Sequence, residues 1–422
     1  MNDTVYRLLA LCARAQCDVT CYQHLAQDAA RRREWEEVPA QAEAHGMAPL
    51  IYAHCKAAGI ELPLAVKREL QGLTLRHRHA NQVRTRALQD ILSAFQAAGI
   101  PALVLKGAAL CHLVYPEPGL RPMSDMDILV PESEARRTQR LLARSGFNAP
   151  LPAGPSFPHR HLTGATLQAE GIVVTAEIHI KLFGGHFDSV LLAQLQPMVL
   201  PISRSIVRAK APLQGHVIPG YTSGQGESWM ALAGLTVPPL PFLLGEMTAH
   251  TLGYEDMLGH LCLHLTSHVN MVDFARLIWV ADIVSFAERF VSVIDWERVR
   301  RQSPFVLDTL SLVHFTTPLS DELLSAAPIK IGPAPEGIGV EYQGWPRTRG
   351  EGWRSKGYCC VLRDTLFPSE WWLRMRYQLG STRPLFWYRW VHHPFYILGP
   401  MLRELVKRLV NSFSMQEVLC SH

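Results

Sequence analysis

Long uninterrupted apolar runs are missing from this chain. Its most apolar stretch, Trp229 to Leu244, is broken by Pro238, Pro239 and Pro241, which argues against a membrane-spanning helix. The opening residues, Met1 to Arg7, lack the basic and apolar segments of a signal peptide. No Gly-x-x-x-x-Gly-Lys-Ser/Thr loop occurs, and Gly224-x-Gly226 lacks the third glycine and the strand-to-helix setting of a dinucleotide fingerprint. These absences weigh against kinase and dehydrogenase readings. Nine cysteines are scattered without zinc-ribbon or secreted-disulfide spacing, with Cys359-Cys360 the one adjacent pair, so reduced thiols in a cytoplasmic protein are expected. Excess charge is absent too: a net +4 is too little to indicate nucleic-acid binding by itself.

What is there resembles an ordinary globular chain, 48% hydrophobic and 18% charged. A length of 422 residues exceeds one typical core and suggests two or more packed units. Helical patterning runs from Thr4 to about Ala80, and a further helix from about Val83 to Ala98 ends at Gly99, a good C-cap position. A short apolar strand, Ile100 to Leu105, closes on Lys106-Gly107, and the helix-like Ala108 to Val114 stops before Pro116. A helix opening at Pro131-Glu132-Ser133-Glu134 runs to Ser145, and the β-branched run Ile172 to Ile180 reads as a strand. Beyond Lys181 comes an irregular Gly- and Pro-rich stretch with Gly184-Gly185. Helical patterning resumes from about Leu243 to Phe290 and from Trp296 to Leu312, and Pro328 to Gly352 looks like a linker.

Asp125 and Asp127 are the most informative residues, in Arg121-Pro122-Met123-Ser124-Asp125-Met126-Asp127-Ile128-Leu129-Val130. Two acids at i and i+2 running into apolar residues read as a strand whose mouth carries carboxylates, on one face and roughly 6–7 Å apart. Like charges so close repel, by about 4 kcal/mol at 4 Å and an effective dielectric of 20. Magnesium would neutralise them and still leave coordination positions for phosphate. Glu177 sits in a strand too apolar to hold a charge unless it is paired or coordinated, and shares a face with His179. Lys106 and Arg121 are candidate phosphate-binding cations, with Lys181 a third, and a surface charge is the alternative for each. His260, His264 and His268 share a helix face; they read as structural, with zinc binding as the alternative.

Lys106-Gly107-Ala108-Ala109-Leu110, Tyr115-Pro116, Arg121 to Val130 and Glu177-Ile178-His179 together resemble the uncharacterised bacterial nucleotidyltransferase family of the polymerase-beta-like superfamily. His45-Gly46-Met47-Ala48-Pro49-Leu50 is similar to its N-terminal helical part. His264 through Arg276-Leu277-Ile278-Trp279 to Asp282, then Asp295-Trp296 and Leu366-Phe367-Pro368, are similar to its C-terminal part, so that the likeness spans most of the chain. The resemblance implies a small mixed sheet in which Asp125 and Asp127 hold two magnesium ions and, through them, a nucleoside triphosphate. Glu177 takes the place of the third acid, and Gly107 that of a glycine approaching the phosphates. Ala108 stands where the superfamily has serine, so one hydroxyl contact is lost and Lys106 is the substitute charge.

The fold expected is α+β: a small mixed-sheet nucleotidyltransferase core, residues 84–182, after an N-terminal helical region, residues 1–83. A helical domain, 183–327, and a linker with an aromatic and basic tail, 328–422, follow. The expected activity is magnesium-dependent transfer of a nucleoside monophosphate to an acceptor hydroxyl on a small molecule, sugar or protein. Nucleic acid is a less fitting acceptor, for want of dense lysine and arginine. The alternative is a catalytically weak module that holds a nucleotide or peptide. In the tail, Trp371, Trp372, Phe386, Trp387, Tyr388 and Trp390 lie among arginines. They allow peripheral membrane contact or burial against the helical domain, and Met401 to Val410 is amphipathic.

Overall fold

The computed structural model describes residues 3–31, 34–151, 160–182, 235–271, 275–339, 344 and 356–399. Gly184-Gly185, Gly224-x-Gly226, His159 and the amphipathic Met401 to Val410 lie outside the described residues, as do residues 340–343 and 345–352 of the expected linker.

The described chain begins with helices α1 (Asp3–Leu11), α2 (Val19–Arg31), α3 (Val38–Ala44) and α4 (Ala48–Ala57). They lead to α5 (Leu64–Ala97), 34 residues long and about 51 Å from end to end. Helix α5 runs unbroken through the expected boundary at 83/84, because Ala80, Val83, Ala87, Leu88, Ile91, Leu92 and Phe95 keep one stripe buried across it. Its end is at the expected glycine: Gly99 takes φ +68°, and the Ile100 amide donates to the Phe95 carbonyl at 2.9 Å.

The central sheet is four-stranded and mixed, in the order β1-β2-β4-β3, from β1 (Leu103–Val104), β2 (Met126–Leu129), β3 (Ala165–Ala169) and β4 (Ile172–His179). Strand β2 pairs antiparallel with β1 and parallel with β4. Being central, it is buried at all four positions. Strand β4 alternates instead: Val174, Ala176 and Ile178 are buried, while Val173, Thr175 and Glu177 are on the more open face. Helix α6 (Lys106–Leu113) follows β1, and α7 (Ala135–Arg144) follows β2.

Strand β3 has no counterpart in the sequence reading. Its residues alternate weakly, and its two-residue turn to β4 is Glu170-Gly171, both at positive φ, where Asn-Gly or Asp-Gly would have been the recognisable signal. A second correction concerns the helix expected from Leu243. Residues there form an antiparallel hairpin, β5 (Leu240–Leu244) and β6 (Met247–Thr251), turning at Gly245 with φ +64°. The helix starts afterwards, as α8 (Tyr254–Met271). Phe242, Leu244, Ala249 and Thr251 alternate with exposed residues, a period of two hidden by the local density of apolar side chains.

Helices α9 (Leu277–Arg289), α10 (Trp296–Gln302), α11 (Phe305–Thr316), α12 (Asp321–Ala326), α13 (Tyr358–Leu366) and α14 (Glu370–Tyr377) complete the described elements used below. None of the described helices is long and apolar enough to cross a membrane. The chain forms two compact units. One holds Met1–Leu263, Arg276–Gln302 and Leu319–Ala327; the other holds His264–Ala275, Ser303–Pro318 and Pro328–His422. The fold is α+β, a small mixed sheet with helical flanks.

Candidate metal centre

Parallel pairing of β2 with β4 decides the site. The register sets Asp127 beside Glu177 and Leu129 beside His179, so the side chains of Asp127, Glu177 and His179 emerge on one face of adjacent strands. One oxygen from each acid and one imidazole nitrogen come within 4.8 Å of one another, the one such group of three among the described residues. His179 Nε2 lies 2.7 Å from Asp127 Oδ1 and 3.9 Å from Glu177 Oε2.

Lys106 completes the cluster from the start of α6. Its φ of +47° is unusual for a residue with a Cβ, and its ammonium donates to Asp127 Oδ1 at 3.1 Å. A strained conformation at this position is retained where the surrounding structure requires that side chain to point there. Burial alone would raise the Asp127 pKa. Lys106 and His179 outweigh it, and the carboxyl is held far below the usual carboxylate range. Glu177 moves the other way: burial raises its pKa, and the charges of Asp127 and then Asp125 add to the shift. The ionised form of one buried acid is thus favoured by its neighbours, and a half-buried neighbour is short of positive charge.

Asp125 stands one residue ahead of β2, half-buried, and Ser124 Oγ donates to its Oδ1 at 3.1 Å. The converging group therefore has His179 in the place expected for Asp125. The sequence signal for His179 was the Glu-x-His alternation, which puts both residues on one face of a strand. His260, on α8, is also buried near this cluster; burial first, then Lys106, keeps its imidazole neutral. His264 and His268, whose rings are 4.4 Å apart, belong to the other unit.

The remaining candidates go elsewhere. Arg121 is buried and clamps Asp282 with two bonds, Nε to Oδ1 at 3.2 Å and Nη2 to Oδ2 at 2.6 Å. Tyr115 Oη donates to the same carboxylate at 2.8 Å, and Arg121 Nη1 donates to the Pro122 carbonyl at 2.8 Å. A guanidinium so committed is a strut of the core. Gly107 is explained by it: a Cβ there would lie 2.0 Å from Arg121 Nη1. Lys181 is half exposed and reaches Glu132 at 3.6 Å, away from the cluster.

Two further contacts hold the loop that delivers the acids. Asn81, buried on α5, donates through Nδ2 to the carbonyls of Pro118 and Arg121 at 2.7 and 2.8 Å. Its Oδ1 accepts from the Met123 amide at 3.0 Å. In the same unit, His45 Nδ1 accepts from the Leu277 amide at 3.2 Å, and Arg276 Nε donates to the Ala44 carbonyl at 3.2 Å. The motif pieces near residues 45 and 276 thus clasp each other.

No curated protein and no solved structure matches the chain. A family model described as an uncharacterised nucleotidyltransferase matches residues 31–200. The match takes in the segments around His45, Lys106, Asp127 and Glu177; those from His264 onwards lie beyond it. Over residues 31–200, which hold Lys106, Asp127, Glu177 and His179, the chain is thus similar to an uncharacterised nucleotidyltransferase family.

Proposed function

We propose that the protein is a divalent-cation-dependent nucleotidyltransferase of the polymerase-beta-like kind, moving a nucleoside monophosphate from a triphosphate to an acceptor hydroxyl. The observation that carries this reading is the convergence of Asp127, Glu177 and His179 on paired parallel strands beside Lys106. Two carboxylates with an imidazole that orients one of them fit a divalent cation, and their hard oxygen donors suit magnesium or manganese. Such an ion supplies charge neutralisation and polarises a phosphoryl oxygen.

The chain's own residues do the rest. Asp127, whose ionised form Lys106 and His179 favour, and Glu177, lacking a strong cationic partner, hold the ion. His179, through its bond to Asp127 Oδ1, fixes which way that carboxylate faces and leaves Oδ2 for coordination. We assign Asp125, at the mouth of the strand, to the ion on the triphosphate side. Lys106 is assigned to the triphosphate oxygens with the backbone of Gly107, at the positive end of α6. Arg121 and Lys181 are left out of this assignment, because their carboxylate partners, Asp282 and Glu132, are not members of the cluster, whereas that of Lys106 is.

A second reading has its own support. Asp127 is already neutralised by Lys106 and His179, so a nucleotide- or peptide-holding module without turnover would also be stable with this cluster. Incubation with labelled triphosphates, magnesium or manganese and pools of small-molecule, sugar and protein acceptors separates the two. Pyrophosphate release that Asp127→Asn lowers by at least about a hundredfold is the expected result. Nucleotide binding without pyrophosphate release across all pools overturns the enzyme reading and leaves the module.

A further inference from the structure

The most exposed aromatic surface among the described residues lies in the second unit, on the helix formed by residues 386–399. Phe386, Trp387, Trp390 and Phe395 are each more than half exposed, and Leu398 is exposed as well. Trp371 and Trp372, by contrast, are buried within α14. The aromatic tail therefore separates into a packed part and an open part.

The middle of this helix, Tyr388–His392, is a π-helical turn in which the His393 amide donates to the Tyr388 carbonyl, five residues back. Its cause is local. Pro394 has no amide hydrogen to give Trp390, and its ring would collide with that carbonyl, so the preceding turn widens by one residue. The widening changes which residues share a face. In an unbroken α-helix, at about 100° per residue, the five apolar side chains would spread over about half the circumference. The inserted residue sets everything after it back by about 100°, which brings Phe395 and Leu398 round beside Phe386, Trp387 and Trp390. All five then fall within an arc of about 100°.

The opposite face is fixed inside its own unit. Tyr388 packs on Tyr377 with ring centroids 5.3 Å apart, and Tyr396 Oη accepts from Arg376 at 3.0 Å. His393 is fully buried, with Nδ1 2.7 Å from Tyr377 Oη and Nε2 3.0 Å from the Thr365 carbonyl. The helix cannot roll its aromatic stripe inward without breaking these bonds.

We infer that this stripe is a docking face for the interfacial zone of an anionic phospholipid bilayer. Tryptophan and phenylalanine are suited to the boundary between head groups and acyl chains. The segment that carries the stripe is net positive, which complements an anionic surface: residues 356–399 contain six Lys or Arg against two Asp or Glu, with Arg383 paired to Asp308 beyond them. The described part of the helix, residues 386–399, is about 21 Å long, and none of the described helices is long and apolar enough to cross a bilayer, so the stripe is assigned to the interfacial zone. This inference is independent of the metal centre.

Full-length protein mixed with vesicles of phosphatidylcholine and phosphatidylglycerol provides the test. Sedimentation with the vesicles is expected, together with quenching of tryptophan fluorescence by brominated acyl chains. Trp387→Glu with Trp390→Glu should weaken both by at least about tenfold, with far-ultraviolet circular dichroism unchanged. Three outcomes overturn the proposal. One is no sedimentation at millimolar anionic lipid; another is equal binding by the double variant. The third is a wild-type dimer that Trp387→Glu dissociates and vesicles do not, since the stripe would then cover a second copy of the chain.

Discussion

Lys106 and His179 converge on one oxygen of Asp127, and this small arrangement governs the metal centre. Asp127→Asn removes the charge that both neutralise, so manganese affinity measured by calorimetry should fall at least about tenfold to a hundredfold. His179→Gln keeps a donor near Asp127 while removing an imidazole, so it should cost less affinity than His179→Ala; equal losses would show that ring nitrogen is a ligand and not an orienter. Elsewhere in the same unit, Arg121 and Asp282 form a buried pair with side chains 9% and 2% exposed. Removing one partner strands the other charge, so Arg121→Ala or Asp282→Asn should destabilise by about 3–5 kcal/mol in urea unfolding. Gly107→Ala presses on the same guanidinium and should cost about 1–3 kcal/mol. A phosphate role for Gly107 alone would instead leave stability unchanged and raise the KM for nucleotide. Lys106 and Asp127 were legible as chemistry because lysine before a glycine turn and acids before an apolar strand are local patterns. Arg121 was not: its partner is 161 residues away.

At the level of elements, the long helix α5 is the piece to which the acid-bearing loop is tied. Asn81 satisfies the Pro118 and Arg121 carbonyls and the Met123 amide with one side chain. Asn81→Leu should therefore leave three buried or half-buried backbone groups unpaired. The expected outcome is a loss of about 2–3 kcal/mol in stability and weaker metal binding, since β2 begins three residues after Met123. Wild-type affinity for manganese in that variant would show that the strand is held by its sheet partners alone. Strands β2 and β4 were readable from apolar runs and period-two burial. Strand β3 and the β5–β6 hairpin were not, because neither turn carries a strong hairpin dipeptide and Leu240 to Thr251 is apolar at too many consecutive positions.

Across the whole molecule, buried neutral histidines set the response to acid. Burial lowers the His45 pKa to about 4, and burial likewise lowers that of His393 to about 4. Both rings also accept a hydrogen bond at Nδ1, from Leu277 and Tyr377, which protonation would remove. The unfolded chain binds these protons near pH 6.5 and the folded chain only near 4, so stability is complete above 6.5 and falls as pH drops between those values. His45→Gln should flatten that slope in pH-dependent denaturation; an unchanged slope would assign it to other groups. What the sequence by itself determined was what short-range patterning controls: an α+β chain, its main helices and strands, and acids at a strand mouth. The tertiary structure alone decided which charges meet. Strand register brought His179 to Asp127, and packing of α9 gave Arg121 to Asp282, because a charge inside a fold must be paired, and the partner it finds depends on contacts between distant segments.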